Sequence, residues 1–298
     1  MIQTNSIALV LEGGGFRGMF TAGILDVLIH ENIFFNYIIA VSAGAACGIS
    51  YVTKQAGRSL EQNKYIRDKR YCSLTHLVKH GSYFNWDFIF HTIPTQLVPL
   101  DYGMMNNQQS RMKVVVSNII TGQPEYIEIS LQSPQIIKEL LTATSSLPII
   151  SKPCQINKYL YMDGGLTDSI PIRHALEDGN QRAVVILTRE KGYRKKSMKL
   201  AFVLRFMYHK YPKLVEMMLN RVHQYNQSLD LIDQLEREGK IFVIRPENPI
   251  PVSRLENNPE NLHKAHHEAI IQMKHTLSSL QKWLHSTEHK TIDILELE

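Results

Sequence analysis

Residues 7–18, IALVLEGGGFRG, join an apolar run to three adjacent glycines and an arginine. The run Ile7–Leu11 predicts a buried strand, and Met19–His30 predicts a helix because its apolar residues recur on one side. A glycine-rich turn between a strand and a helix exposes backbone N–H groups that bind anions, and its G-x-G-x-x-G spacing is that of a dinucleotide-binding loop. The anion is either the pyrophosphate of a cofactor or an oxyanion formed during a reaction.

The residues at the end of the second predicted strand, Tyr37–Val41, argue against the cofactor. A dinucleotide site needs an acidic residue there to bind the ribose hydroxyls, but no Asp or Glu occurs between Glu31 and Glu61. A P-loop is disfavoured too, because Gly18 is not followed by lysine. The strand ends instead in AVSAGA, residues 40–45.

Ser42 within AVSAGA has the surroundings of a nucleophile elbow. Ala40, Ala43 and Gly44 are small enough for a sharp strand-to-helix turn, although Ala40 replaces the first glycine of G-x-S-x-G. The predicted helix at 43–50 presents its N-terminus to developing negative charge. The alternative interpretation is an ordinary serine helix cap.

A serine nucleophile needs a base, and the sequence offers two arrangements. Ser42, Asp163 and His174 follow the chain order of an α/β-hydrolase triad. Asp163 alone is the favoured partner, because it follows a predicted strand and precedes Gly164 and Gly165 at a sharp turn. An ordinary Asp-Gly turn without a catalytic role remains the alternative.

Strands and helices alternate along residues 5–190, which predicts an α/β domain: a three-layer sandwich with a mainly parallel central sheet. Short β-branched runs at 113–116 and 183–187 are typical of covered strands. Residues 195–290 form a mostly helical C-terminal region with one predicted strand, Ile241–Ile244.

Four motifs together resemble the bacterial patatin-like phospholipases. They are GGGFRG at 13–18, AVSAGA at 40–45, ATSSLP at 143–148 and DGG at 163–165, and their order and approximate spacing match. The resemblance covers about residues 5–190. The region after 195 is similar to a helical extension found in some bacterial members, and the core implies no role for it.

The resemblance implies a lipid acyl hydrolase that uses a Ser42–Asp163 dyad without histidine. Ser42 would attack the ester carbonyl while Asp163 accepts its proton, and no metal or cofactor is required. The N–H groups of Gly14, Gly15 and Phe16 would form the oxyanion hole. The predicted oxyanion-hole loop comprises Gly13, Gly14, Gly15, Phe16, Arg17 and Gly18.

Arg17 has two interpretations: it adds positive potential near the oxyanion hole or a lipid phosphate, or it pairs with a carboxylate such as Glu12. Two other functional classes also stay open. One is a general carboxylesterase or acyltransferase acting on soluble esters, and the other is a non-catalytic lipid- or protein-binding module.

The net charge of +5 is concentrated in residues 191–221. This stretch predicts contact with an anionic membrane, or else an ordinary solvated helix face. No nucleic-acid partner is expected. Its basic residues are Lys191, Arg194, Lys195, Lys196, Lys199, Arg205, Lys210, Lys213 and Arg221.

The chain shows neither a signal peptide pattern nor an apolar run of membrane-spanning length, and its three cysteines are scattered. We therefore expect a cytoplasmic protein, with peripheral contact at the inner membrane surface as a further hypothesis.

Two minor candidates are favoured as structural. His263, His266, His267 and Glu268 have helical spacings that could hold a metal, but a solvated helix face is the simpler interpretation. Cys47, on the helix after Ser42, is expected to be a packing residue rather than a redox sensor.

Overall fold

A mixed sheet of eight strands crosses the part of the chain that the computed structural model describes, residues 2–106, 110–196 and 201–286. The strands are β1 (Ile2–Leu11), β2 (Ile33–Ala40), β3 (Arg111–Asn118), β4 (Gln123–Glu128), β5 (Cys154–Ile156), β6 (Tyr159–Asp163), β7 (Arg182–Ile186) and β8 (Ile241–Ile244). Strands β3, β2, β1, β7 and β8 are parallel neighbours, whereas β4, β5 and β6 join by antiparallel pairing. The predicted mainly parallel sheet is confirmed.

Two different strands pair with the same edge of β3. Its first half, residues 111–114, pairs with residues 37–40 of β2, and its second half, residues 116–118, pairs with residues 161–163 of β6. Because β4 pairs with β3 at the same residues, β4 occupies the opposite edge. The carboxyl end of antiparallel β6 therefore meets the carboxyl end of β2.

Ten α-helices are present in the described residues, together with shorter helical turns. They are α1 (Gly18–His30), α2 (Ala43–Val52), α3 (Arg58–Asn63), α4 (Leu74–His80), α5 (Tyr102–Asn106), α6 (Pro134–Ser145), α7 (Ile172–Glu177), α8 (Ala201–Met207), α9 (Pro212–Arg237) and α10 (Pro259–His285). The turns are 3₁₀ helices at Gly15–Arg17, Lys64–Arg67 and Gly164–Leu166, and Phe88–Leu97 is π-helical. Across these described segments, no helix combines the length and the apolar character needed to cross a bilayer.

The helices cover both faces of the sheet, which confirms the three-layer sandwich. Alternate residues of β1 enter different cores: Leu9 and Leu11 pack with α1, α2 and α10, whereas Ala8 and Val10 pack with α7 and α9. The C-terminal region thus contributes a helix to each layer, and β8 extends the sheet beside β7. Lys199 and residues 287–290, both within the predicted C-terminal region, lie outside the described residues.

Helix α10 packs directly on α1 through a glycine and a buried polar pair. A Cβ atom at Gly23 would lie 2.4 Å from the carbonyl oxygen of His266 and 2.8 Å from Cβ of Ala269. One turn further along α1, the carboxylate of Asp26 accepts a hydrogen bond from Nε2 of His266 at 2.8 Å. His266 is therefore a packing residue, and no group of His, Cys, Asp or Glu side chains in the described residues has an arrangement that could hold a metal.

Replacing Gly23 by alanine should destabilise the protein because α1 and α10 must move apart to admit the methyl group. We expect a loss of about 1–3 kcal/mol in the free energy of unfolding, measured by urea denaturation. Gly103→Ala is the matched control, since its added methyl would meet only the end of the Asp101 side chain. Equal stability of the two variants would contradict the close packing of these helices.

Candidate active site

Ser42 occupies a sharp turn between β2 and α2. Its backbone has φ 53° and ψ −122°, a conformation that a residue with a side chain rarely adopts and that costs energy. Ala40 is the last residue of β2, Ala43 is the first of α2, and the N–H of Gly44 donates to the carbonyl of Val41 at 2.8 Å to close the turn. The hydroxyl is thereby held at the carboxyl end of β2, beside the N-terminus of α2.

Asp163 ends β6 and faces Ser42 directly. Oγ of Ser42 donates a hydrogen bond to Oδ2 of Asp163 at 2.8 Å, and the N–H of Gly165 donates to Oδ1 at 2.8 Å. The turn after Asp163 passes so close to β3 that a Cβ atom at Gly164 would lie 2.1 Å from the carbonyl oxygen of Val115. This close approach explains why glycine follows the aspartate.

The ATSSLP motif holds both members of this pair. The hydroxyl of Thr144 accepts a hydrogen bond from the N–H of Ser42 at 2.9 Å and donates to the carbonyl of Val115 at 2.6 Å. The carbonyl of Ser146 accepts the N–H of Asp163 at 2.8 Å. The sequence motif gave no sign of these roles, because neither residue type nor spacing specifies which backbone group a threonine contacts.

The glycine loop, residues 13–18, lies beside Ser42 and Asp163. Residues 13–15 line a small cavity with Ser42 and Asp163. The N–H of Gly13 is directed to the carbonyl of Ser169 at 3.4 Å, whereas in the described residues the N–H groups of residues 14–16 have no hydrogen-bond partner outside their own helical turn. Those three N–H groups are the available donors next to Ser42.

Arg17 is buried but does not pair with Glu12. The carboxylate of Glu12 accepts hydrogen bonds from the backbone N–H and hydroxyl of Thr188, and from the hydroxyl of Tyr225 at 2.6 Å. Within the described residues, no ion pair joins Arg17 to this carboxylate, and its buried Nε has no hydrogen-bond partner. Arg17 thus forms no ion pair with Glu12, although the charge of Glu12 raises the pKa of Arg17 in part. Gly18 beside it opens α1.

The carboxyl group of Asp163 is buried among cations. Burial raises the pKa of Asp163 above its usual value, while the nearby Arg221, the hydroxyl of Ser42 and the N–H of Gly165 lower it in part. Arg221 lies on α9, where its Nε donates to the carbonyl of Gly165. A residue of the C-terminal region thus helps to hold the turn that positions Asp163.

Other basic side chains surround this carboxylate. Burial, and then repulsion by Arg189 and Arg254, lower the pKa of Arg17 to about 10. Burial also lowers the pKa of Lys195 to about 6, with repulsion from Arg221 and Arg254 as the further causes. Lys195 and Arg221 belong to the basic stretch 191–221, whose sequence suggested a membrane-facing surface rather than a position at the site.

A larger apolar cavity begins beside Ser42. It has an empty volume of about 770 Å³, part of which is open to solvent. Its mostly apolar wall suits a hydrocarbon chain rather than a polar ligand. Its lining includes Phe16, Met19, Phe84, Trp86, Phe90 and Leu147.

The contacts of His174 and Cys47 are those of packing residues. The ring of His174 stacks on Tyr126 with the centroids 3.5 Å apart and lies 3.5 Å from the carboxylate of Asp178, so no Ser–Asp–His arrangement is formed with it. Cys47 donates to the carbonyl of Gly18, and burial raises the pKa of its thiol to about 12. Cys47 is therefore protonated at neutral pH, as expected of a packing residue.

Comparison with known proteins identifies the family. A family model described as patatin-like phospholipase matches residues 9–176, more than half of the 298-residue chain. The chain belongs to the patatin-like phospholipase family. A second family model, described as a domain of unknown function (DUF6363), matches residues 211–285 of this patatin-like protein.

The individual relatives share only about a quarter of their aligned residues with this chain. The uncharacterized protein YjjU of Escherichia coli is 27% identical over 192 residues, which are 62% of this chain and 53% of that protein. The probable lipid hydrolase 463L of Invertebrate iridescent virus 6 is 25% identical over 189 residues, 58% of this chain and 64% of that protein. The aligned part thus spans between about half and two thirds of the length of these curated relatives.

A comparison with solved structures finds similar chains, one of which is given by its alignment alone. VipD from Legionella pneumophila aligns with a TM-score of 0.45 and 14% identity, over 92% of this chain and 67% of VipD. The residues of the site come from both matched regions, since Ser42 and Asp163 lie within 9–176 and Arg221 lies within 211–285.

Removing the hydroxyl of Thr144 should slow reactions at Ser42, because Thr144→Val leaves the N–H of Ser42 and the carbonyl of Val115 unpaired. We expect the rate of Ser42 labelling by a fluorophosphonate to fall about 10- to 100-fold. Thr276→Val is the control, since that hydroxyl bonds only to the carbonyl of Gln272 in its own helix. Equal labelling rates in both variants would show that Thr144 does not position Ser42.

Proposed function

We propose that this protein is a serine lipid acyl hydrolase that cleaves carboxylic esters of lipids with a Ser42–Asp163 dyad. The observation that carries the proposal is the 2.8 Å hydrogen bond from Oγ of Ser42 to Oδ2 of Asp163, formed on a strained turn beside the glycine loop. The apolar cavity next to Ser42 supports a substrate with a hydrocarbon chain.

In the acylation step, Oγ of Ser42 attacks the ester carbonyl carbon while Asp163 takes the hydroxyl proton. The hydrogen-bond distance is within the range that general-base transfer needs. The carbonyl oxygen becomes negatively charged in the tetrahedral intermediate, where the N–H groups of residues 14–16 donate to it. Asp163 then gives the proton to the leaving alcohol, which departs and leaves an acyl ester on Ser42.

In the deacylation step, the same carboxylate activates water. Asp163 accepts a proton from the water molecule that attacks the acyl carbonyl, and the second tetrahedral intermediate uses the same backbone donors. Collapse of this intermediate returns the proton to Oγ of Ser42 and releases the fatty acid. Each proton taken up by Asp163 is thus delivered again within the same half-reaction.

A carboxylate is ordinarily a weak base, and the burial of Asp163 makes it a stronger one. Burial raises the pKa of Asp163 above the usual range, so the carboxylate binds a proton more strongly than it would in water. Arg221, the hydroxyl of Ser42 and the N–H of Gly165 act in the opposite direction and lower the pKa in part. The raised pKa supports a carboxylate that is a stronger base than an aspartate in water.

Substitution of the dyad tests the proposal with p-nitrophenyl esters of increasing chain length. Ser42→Ala and Asp163→Asn should each lower kcat/KM by at least about 10³-fold, because each removes a reacting group. Asp168→Asn is the matched control, since Asp168 lies in the same loop but bonds the hydroxyl of Tyr126. In the wild type, activity should fall on acidification at a pH above that expected of an ordinary aspartate, because protonated Asp163 cannot accept the serine proton.

Three outcomes of this assay would contradict the proposal. Equal hydrolysis by the wild type and both dyad variants would exclude the mechanism, and no hydrolysis by the wild type would favour a binding module. Faster turnover of short than of long acyl chains would favour a general carboxylesterase.

We further propose that the protein contacts an anionic membrane surface through α8. Phe202 and Phe206 lie one turn apart on α8 and are 82% and 78% exposed, while Leu204 between them is buried and anchors the helix. The exposed Arg205 and Lys210 supply positive charge beside this apolar face. Such a combination is typical of helices that lie in the interface of anionic bilayers.

A hydrogen bond between the residue after α8 and the loop that lines the site supports this contact. The hydroxyl of Tyr208, directly after α8, accepts a hydrogen bond from the N–H of Ile149 at 2.6 Å. Ile149 is itself 54% exposed, and Leu147 in the same loop lines both cavities at Ser42. A bilayer bound at α8 would therefore lie next to the loop that borders both cavities.

Vesicle sedimentation tests the membrane contact. The wild type should bind phosphatidylglycerol vesicles more strongly than phosphatidylcholine vesicles, and salt should weaken that binding. The double variant Phe202→Ser/Phe206→Ser should lose about tenfold or more in affinity. Ile271→Ser is the control, because it removes a partly exposed apolar side chain from α10. Undiminished binding by the double variant would place the membrane contact elsewhere.

A further inference from the structure

The apolar cavity beside Ser42 adjoins a further cavity, which we name the distal cavity. The distal cavity has an empty volume of about 290 Å³ and does not include Ser42 in its wall. Both cavities are lined by Ala46, Gln62 and Phe90, so these three side chains form the boundary between them. The rest of the distal wall is mostly apolar and includes Ile49, Pro94, Leu100, Ile137 and Leu141.

Helix α2 leads from Ser42 to the distal cavity. Ala43 and Ala46 line the apolar cavity, whereas Ala46 and Ile49 line the distal cavity. Since an α-helix rises about 1.5 Å per residue, Ala46 lies about 6 Å and Ile49 about 10 Å beyond Ser42 along α2. An acyl chain that starts at Ser42 and follows α2 therefore reaches the boundary first and the distal cavity only beyond it.

The ring of Phe90 is fixed at this boundary by a stack of aromatic side chains. Phe90 is buried, and its ring lies parallel to that of Trp86 with the centroids 5.6 Å apart. Trp86 packs in turn on Phe84 with a centroid distance of 5.1 Å. Because both sides of this stack belong to the wall of the apolar cavity, the ring of Phe90 cannot turn aside without displacing its neighbours.

The other two boundary residues contribute less to the separation. Ala46 has only a methyl group. Gln62 is held by polar contacts, since its Nε2 donates to the carbonyl of Ile89 at 3.4 Å and its Oε1 accepts from Nη1 of Arg58 at 3.3 Å. Phe90 is thus the large apolar side chain that blocks the path along α2.

We propose that Phe90 limits the length of the acyl chain that the apolar cavity accepts. The inference rests on the proposed function, because it requires an acyl chain that begins at Ser42. Each methylene that leaves water on binding contributes favourable free energy, and methylenes beyond Phe90 find no further apolar space along α2. The preferred substrates are then esters of medium-chain fatty acids.

A series of p-nitrophenyl esters from butyrate to laurate tests this limit, each below the concentration at which it aggregates. In the wild type, kcat/KM should rise with chain length and then reach a plateau. In Phe90→Ala the plateau should move to longer chains, and the ratio of kcat/KM for laurate to that for octanoate should rise about tenfold, as expected from about two more buried methylenes. Phe90→Leu removes less volume, so it disturbs the core less and should raise the same ratio by a smaller factor.

Phe88→Ala is the matched control, because it truncates a buried phenylalanine of the same π-helix that lines neither cavity. Phe88 packs instead against Tyr65 and Arg70. Its truncation should leave the ratio of laurate to octanoate at the wild-type value.

Refilling the distal cavity provides a second arm. Leu141→Phe adds volume to the distal wall from α6. Combined with Phe90→Ala, it should return the ratio toward the wild-type value, whereas Leu141→Phe alone should leave the ratio unchanged because Phe90 already blocks the path.

The outcomes separate this inference from the proposed function. If the wild type hydrolyses the esters and both Phe90 variants keep the wild-type ratio, the limit is not set by Phe90 while the hydrolase stands. An equal rise in Phe88→Ala would indicate general loosening of the π-helix, and a rise that persists with Leu141→Phe would show that the chain does not enter the distal cavity; either result overturns the inference. If the wild type hydrolyses none of the esters, the proposed function fails, and the assignment of Phe90 fails with it.

Discussion

The candidate site depends on two strands sharing one edge of β3. Strand β2 pairs with the first half of that edge and β6 pairs antiparallel with the second half, so their carboxyl ends meet. Ser42 follows one end and Asp163 terminates the other, which brings their side chains within hydrogen-bond distance without a long connecting loop. An additional parallel strand in place of β6 would have directed its carboxyl end away from β2.

The backbone strain at Ser42 can persist because the surrounding contacts fix the turn from several sides. Thr144 binds the N–H of Ser42, and the carbonyl of Ser146 binds the N–H of Asp163. A hydroxyl that only capped α2 would need neither the positive φ nor the facing carboxylate. The cost of the strained conformation is consistent with a reactive position rather than with helix capping.

Local patterns predicted much of this arrangement. The apolar runs predicted the parallel strands, and the small residues around Ser42 predicted a tight strand-to-helix turn. His266 was also accessible in principle, since it lies four residues after Leu262 and three before Ala269, on the buried face of α10. The spacing of the histidines alone suggested a metal site. The periodicity of the apolar residues in α10 instead predicts that His266 lies on the buried face.

Other features could not be predicted because they depend on tertiary contacts. The antiparallel direction of β6 has no signature in its five residues, since it follows from which edge of β3 is free. Lys195 and Arg221 look like the other basic residues of 191–221, and composition does not distinguish a cation that faces the site from one that faces solvent. The difference arises from the position of α9, which carries Arg221 to the turn after Asp163.

A dyad without histidine also constrains how a substrate can lie. In a triad, the imidazole carries the proton from the serine to the leaving group, but in the proposed dyad the carboxylate that takes the proton of Ser42 must itself reach the leaving oxygen. On this proposal the leaving alcohol lies on the side of Asp163, next to the small cavity that Asp163 lines with Ser42. The acyl chain is left with the apolar cavity on the other side of Ser42.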